Sequence, residues 1–117
     1  MEDRLNTHDL RALMADDVEF VGVFASDRLP SLPNKQDTIK LIVNLDDSSL
    51  PGSHWVAIYR RGGNAYYFDT FGHEPPKAIR NWLANNSTSW TSFARAIQSP
   101  QDKVSCGYLV LEFLQKL

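Results

Sequence analysis

The chain has 117 residues, 43% hydrophobic and 22% charged, with a net charge of −2 and a pI near 5.8. That composition excludes a disordered chain, and the charge balance argues against a broad nucleic-acid footprint, which needs more clustered cations than Arg60-Arg61. No apolar run approaches the ~20 residues that cross a bilayer, and the start shows no basic-then-apolar leader, so the expectation is one intracellular, monomeric domain over residues 1–117.

In chain order, Thr7 is expected to cap a helix over about 7–15, whose Leu10, Leu13 and Met14 recur at i, i+3 and i+4. Phe20 to Phe24 is apolar, and the segment 28–34 that follows carries Pro30 and Pro33, which mark a loop. Residues 38–45, with Ile39, Leu41, Ile42 and Val43, read as a buried strand, and 46–52 as a turn-rich connection. The β-rich run 54–59, then Gly62-Gly63, then 65–69 predicts a hairpin. Pro75-Pro76 suits the first turn of a helix presenting Ile79, Trp82 and Leu83 on one face, and 90–97 suits one more strand. From Ser105 onward, Tyr108, Leu109, Val110, Leu111, Phe113, Leu114 and Leu117 predict a largely buried helix. The fold class expected is α+β, an antiparallel or mixed sheet packed on a central C-terminal helix.

Cys106 is the chain's one cysteine. It cannot form an internal disulfide or a cysteine-based zinc site, which leaves a bland buried thiol or a reactive one. A thiol acts as a thiolate, which a nearby imidazole, a helix N-terminus and partial solvent access favour. If Ser105 caps the last helix, Cys106 lies in the first turn among free backbone N–H groups, and Gly107 allows close approach of a substrate backbone. Of the three histidines, His54 opens a strand, whereas His8 lies at an exposed helix start and His73 in a loop beside prolines. Hairpin pairing of 59–60 with 65–66 sets His54 near residues 69–71, so Asp69 is placed to fix the imidazole tautomer and stabilise its cation. Each residue has an ordinary alternative, a surface histidine or a turn-capping Asp, but an acid in register with a histidine is rarer than either alone. The loop before the cysteine holds Gln98 and Gln101, either of which offers a side-chain amide to an oxyanion.

The order His54-Trp55, then Asp69 after an aromatic strand, then a Gln-containing loop before Cys106-Gly107 and an apolar helix resembles the cysteine peptidase clan of the adenovirus maturation protease (adenain) and the SUMO-specific proteases. In papain-type enzymes the cysteine comes first. The segments 52–57, 67–72, 98–100 and 105–107, with 20–24 and 27–30, look most similar to the adenoviral branch. The resemblance implies a minimal adenain-like fold with His54, Asp69 and Cys106 as a triad. Gln98 and the Cys106 backbone N–H would form the oxyanion hole, and Trp55 would wall the substrate channel. It further implies a protein substrate, a capsid or core precursor of a virus, virophage or polinton-like element, cut after small Gly-type residues inside the infected cell or within the virion. No metal and no organic cofactor is expected.

Four features depart from the adenoviral pattern. The C-terminal helices of that enzyme have no counterpart here; Asp69 replaces its Glu, as in the SUMO-protease branch; and the interval from Gln98 to Cys106 is one residue longer, which keeps Gln101 in play. That enzyme is also activated by DNA and by a disulfide-held peptide, for neither of which one cysteine and an acidic pI argue. The alternatives are a protease for SUMO, ubiquitin or a similar protein, and a catalytically silent peptide-binding module.

Overall fold

The computed structural model describes residues 5–32, 34, 37–45, 54–93 and 105–117. Five strands, β1 (Phe20–Ala25), β2 (Ile39–Asn44), β3 (Trp55–Arg61), β4 (Asn64–Phe68) and β5 (Ser89–Phe93), form one sheet in chain order. The inner pairs β2–β3 and β3–β4 are antiparallel, and the outer pairs β1–β2 and β4–β5 are parallel. The sheet is thus the mixed form of the α+β expectation. A parallel pair needs a crossover rather than a tight turn, and helix α2 (Lys77–Asn86) provides the one from β4 to β5.

The hairpin between β3 and β4 has the expected register, Tyr59 opposite Tyr66 and Arg60 opposite Ala65. Gly62 and Gly63 turn it with φ of 58° and 88°, the pair of positive values that a two-residue turn needs to match the strand twist. β3 is the central strand, and alternate residues face opposite sides of a sheet. Trp55 and Ala57 join Val23, Ile42, Leu10 and the apolar face of helix α3 (Ser105–Gln115) on one side. Val56 and Ile58 join Leu41, Val43, Tyr67 and the Ile79, Trp82 and Leu83 face of α2 on the other.

Helix α3 buries Cys106, Gly107, Val110, Leu111 and Leu114, while Glu112, Gln115 and Lys116 are exposed. It therefore lies on the sheet by one face rather than being enclosed. An 11-residue helix is marginal on its own, and burial at roughly 1.5–3 kcal/mol per large aliphatic side chain holds it on β3. Helix α1 (Thr7–Leu13) packs beside it. Its cap is Asn6, not Thr7: the Asn6 side chain accepts from the Asp9 N–H at 2.8 Å, and the Asp9 carboxylate accepts from the Asn6 N–H at 3.1 Å. That reciprocal pair needs an acid or amide three residues after the cap, and three residues after Thr7 stands Leu10.

Two buried cations fasten the sheet. Arg60, 1% exposed, donates to the carbonyls of Asn34 at 2.5 Å, Asp37 at 3.0 Å and Asn86 at 2.6 Å, tying the approach to β2 and the end of α2 to β3. Lys40, 4% exposed, pairs with Asp17 at 2.7 Å, and this hydrogen bond holds the Asp17 carboxyl below its ordinary value despite burial. The expected strand over 90–97 begins at Ser89; its last four residues and the connection 46–52 lie outside the described residues.

Candidate active site

His54 immediately precedes β3, and Asp69 immediately follows β4. The His54 carbonyl is anchored by the Leu45 N–H at 3.0 Å. Continuing the Ala57–Phe68 register beyond the ladder sets His54 opposite Phe71, one turn past Asp69. The side chains meet there: Nε2 of His54 stands 2.8 Å from Oδ1 of Asp69. A carboxylate can only accept, so Nε2 carries the hydrogen and Nδ1 presents a lone pair. The Asp69 side chain is fully buried, and that of His54 is 12% exposed.

Cys106 lies in the first turn of α3, on the face that packs against Trp55 and Ala57 of β3. Its thiol lies close enough to the His54 ring for the two to perturb each other. Burial works against the imidazolium, yet the hydrogen bond to Asp69 and the interaction with the Cys106 thiol outweigh it, and His54 is pushed up to about 9. Burial also works against the thiolate. The hydrogen bond with His54, followed by the backbone N–H groups of Trp55 and Gly107, more than offsets it and holds Cys106 below the ordinary thiol range. Opposite shifts in an interacting pair favour a thiolate–imidazolium ion pair near neutral pH. Nε2 is taken by Asp69, whereas Nδ1 is buried and makes no hydrogen bond of its own, so Nδ1 is the ring nitrogen left to serve the thiol. The ring thus reverses the nitrogen roles of the serine triad, where Nε2 serves the nucleophile and Nδ1 the acid.

Asp69 is held by its own turn. Oδ1 also accepts the Phe71 N–H at 2.9 Å, and the Gly72 N–H closes the turn onto the Asp69 carbonyl at 2.9 Å. The Phe71 ring lies flat against His54, with centroids 4.4 Å apart and planes 20° from parallel. Residue-by-residue reading gave Phe71 no part, although the hairpin register alone sets it opposite His54. Of the other histidines, His8 is exposed on α1, and His73 is exposed and tilted against Phe71, with ring centroids 6.1 Å apart.

Three features of the site show how tightly it is packed. Solvent access to the thiol is not met, since Cys106 is 1% exposed. Trp55, 3% exposed, belongs to the core, and close approach at Gly107 is used by the chain itself. A Cβ added there would come within 3.2 Å of the Leu5 Cβ and 3.5 Å of the Trp55 Cδ1. Gln98 and Gln101 lie outside the described residues, as does the Ser105 side chain. Among the described residues, no group of three His, Cys, Asp or Glu side chains is disposed to hold a metal ion. An aromatic groove of about 490 Å³ lined by Tyr59, Tyr66, Phe93 and Phe113 sits five residues up β3 from His54, about 17 Å along the strand, away from the thiol.

Among solved structures, the chain is similar to the ASFV pS273R protease, with a TM-score of 0.50 and 21% identity over 68% of this chain and 34% of that one. The chain shares the fold of the matching part of that protease. A selenomethionine form of the same protein matches with a TM-score of 0.48 and 24% identity over 67% and 33% of the two chains. The chain thus spans about a third of the protease it matches. No protein-family model and no curated protein matches it.

Proposed function

We propose that this chain is a cysteine peptidase with Cys106 as nucleophile, His54 as proton carrier and Asp69 as the residue that orients and charges the imidazole. The observation that carries the reading is the 2.8 Å contact from Asp69 Oδ1 to Nε2 of His54, which leaves Nδ1 to the buried Cys106 thiol, whose ionisation His54 favours. The Cys106 thiolate attacks the scissile carbonyl carbon, and the carbonyl electrons move onto its oxygen. The Cys106 backbone N–H and Gln98, the latter assigned by resemblance, receive that oxyanion. As the tetrahedral species collapses, the C–N bond breaks and His54 gives its Nδ1 proton to the departing amine. Water then adds to the thioester, returning a proton to His54 and releasing the acid and the thiolate.

Within that class, the preferred substrate is a capsid or core precursor of a virus or virophage, cut after a Gly-type residue during virion maturation, in the infected cell or in the particle, by a monomeric enzyme without a cofactor. The resemblance to the adenoviral branch supports this, together with a structural neighbour that is itself a viral protease. No helix among the described residues is long and apolar enough to cross a membrane. Incubating the protein with its own element's capsid proteins and, separately, with a ubiquitin-like precursor tests both levels. Capsid cleavage abolished by Cys106→Ser supports the full reading, and cleavage of the ubiquitin-like precursor alone moves the substrate. Cleavage of neither, with a thiol that titrates like a free cysteine, defeats the peptidase assignment.

A further inference from the structure

We propose that Phe71 is a positioning residue, which holds the His54 ring in the plane from which Nε2 reaches Asp69 and Nδ1 is left to serve Cys106. The inference rests on the cysteine-peptidase reading and adds to it a residue which that reading does not use.

A single hydrogen bond fixes one point of an imidazole. About the 2.8 Å contact from Nε2 to Asp69 Oδ1 the ring can still swing, and a swing carries Nδ1 away from the thiol. A flat neighbour removes that freedom, and the Phe71 ring, 4.4 Å away and 20° from parallel, is such a neighbour. Its own position is fixed twice, by the tight turn that the Gly72 N–H closes onto the Asp69 carbonyl and by its N–H on the same Oδ1 that holds Nε2. One short turn, Asp69 to Gly72, therefore supplies both the carboxylate at the ring's edge and the wall against its face.

The aromatic face also acts electrostatically, since a cation over a π face is attracted to it, more strongly where water is excluded. The charged groups facing His54 are Asp69 and Cys106. Tyr67 and Glu74 lie on the Asp69 side, and His73 lies tilted against Phe71. None of these substitutes for a ring stacked on the imidazolium. Removing the π face while keeping the bulk should lower the pKa of His54 by roughly one unit and lower kcat by roughly 10- to 100-fold through misplacement of Nδ1, with KM little changed.

The test follows the His54 Cε1 resonance by NMR against pH in the parent, in Phe71→Leu and in Phe71→Trp, with peptide hydrolysis measured on the same samples. The expected result is a lower pKa and kcat in Phe71→Leu and parental values in Phe71→Trp. Should Phe71→Leu fail to fold, pentafluorophenylalanine at position 71 keeps the shape and reverses the ring's quadrupole, and the expected result is the same fall in pKa. A parent whose His54 titrates with Cys106, beside Leu or pentafluoro variants with an unchanged pKa and kcat, overturns the role of Phe71 alone. A parent whose His54 titrates near 6.5, independently of Cys106, takes down the peptidase reading and this inference together.

Discussion

Replacing Asp69 with Asn tests the site where its geometry is tightest. The exchange is nearly isosteric, so the turn from Asp69 to Gly72 and the fold should survive. In the parent, His54 at about 9 is almost fully protonated at pH 7.5, about 97% on a simple titration. With the charge gone, burial, the largest influence on this ring, is opposed by the Cys106 thiol alone, and His54 falls from about 9. Each unit by which it falls below the assay pH costs about tenfold in charged ring. The Asn amide can also donate to Nε2, which moves the ring hydrogen to Nδ1 and leaves the thiol without an acceptor. Together these should lower hydrolysis by up to ~10⁴. Alkylation by iodoacetamide measured from pH 5 to 11 gives the second readout. Because Cys106 is only 1% exposed, the informative quantity is the pH midpoint rather than the absolute rate. The parent midpoint should lie below the ordinary thiol range, the variant midpoint should move up, and the two rates should converge at high pH. An Asp69→Asn protein with parental turnover and a parental midpoint would falsify the assigned role of Asp69.

Further expectations follow from the same geometry. The imidazolium needed by the departing amine disappears as pH rises through about 9, and the thiolate disappears as pH falls through the lowered Cys106 value; a pH profile of kcat/KM should show both limbs. For stability the signs are opposite. His54, raised on folding, contributes fully below 6.5 and loses its contribution as pH climbs through about 9, whereas Cys106, lowered on folding, contributes at high pH and loses its contribution as pH falls, which denaturant titrations at several pH values would detect. Gln98→Ala should slow hydrolysis by ~10²–10³ while the alkylation midpoint stays put, and Gln101→Ala should change neither; the reverse pattern would transfer the oxyanion role to Gln101. Arg60→Met should destabilise the fold by about 3 kcal/mol or more, because three buried carbonyls lose a charged donor; chemical denaturation measures this, and a loss below about 1 kcal/mol would show that water replaces the guanidinium.

What could be read from residues alone was the local geometry. Gly62-Gly63 set the hairpin, the hairpin set the register, and the register brought His54 to Asp69. The helix over Lys77–Asn86 was visible from its prolines and apolar face, and α3 from its Leu-rich run. Non-local pairing was less legible: nothing in Phe20–Ala25 or Ser89–Phe93 says that each runs parallel to its neighbour, since that depends on crossovers whose partners are distant in sequence. The burial of Arg60 was equally hidden, because it depends on carbonyls from residues 34, 37 and 86. The packing of Leu5 beside Gly107 was hidden in the same way, since the two are about a hundred residues apart in sequence and in van der Waals reach in space.

The burial of Cys106 makes the thiol a clock. A reagent cannot reach a sulfur that is 1% exposed until the start of α3 and its surroundings part, so modification has two stages, a local opening and a chemical step. At low reagent concentration the observed rate is the opening equilibrium multiplied by the chemistry; at high concentration it levels off at the opening rate itself. With one cysteine in the chain, no other thiol contributes to the signal. A concentration series with a single alkylating reagent would therefore separate how reactive the thiol is from how often the protein uncovers it.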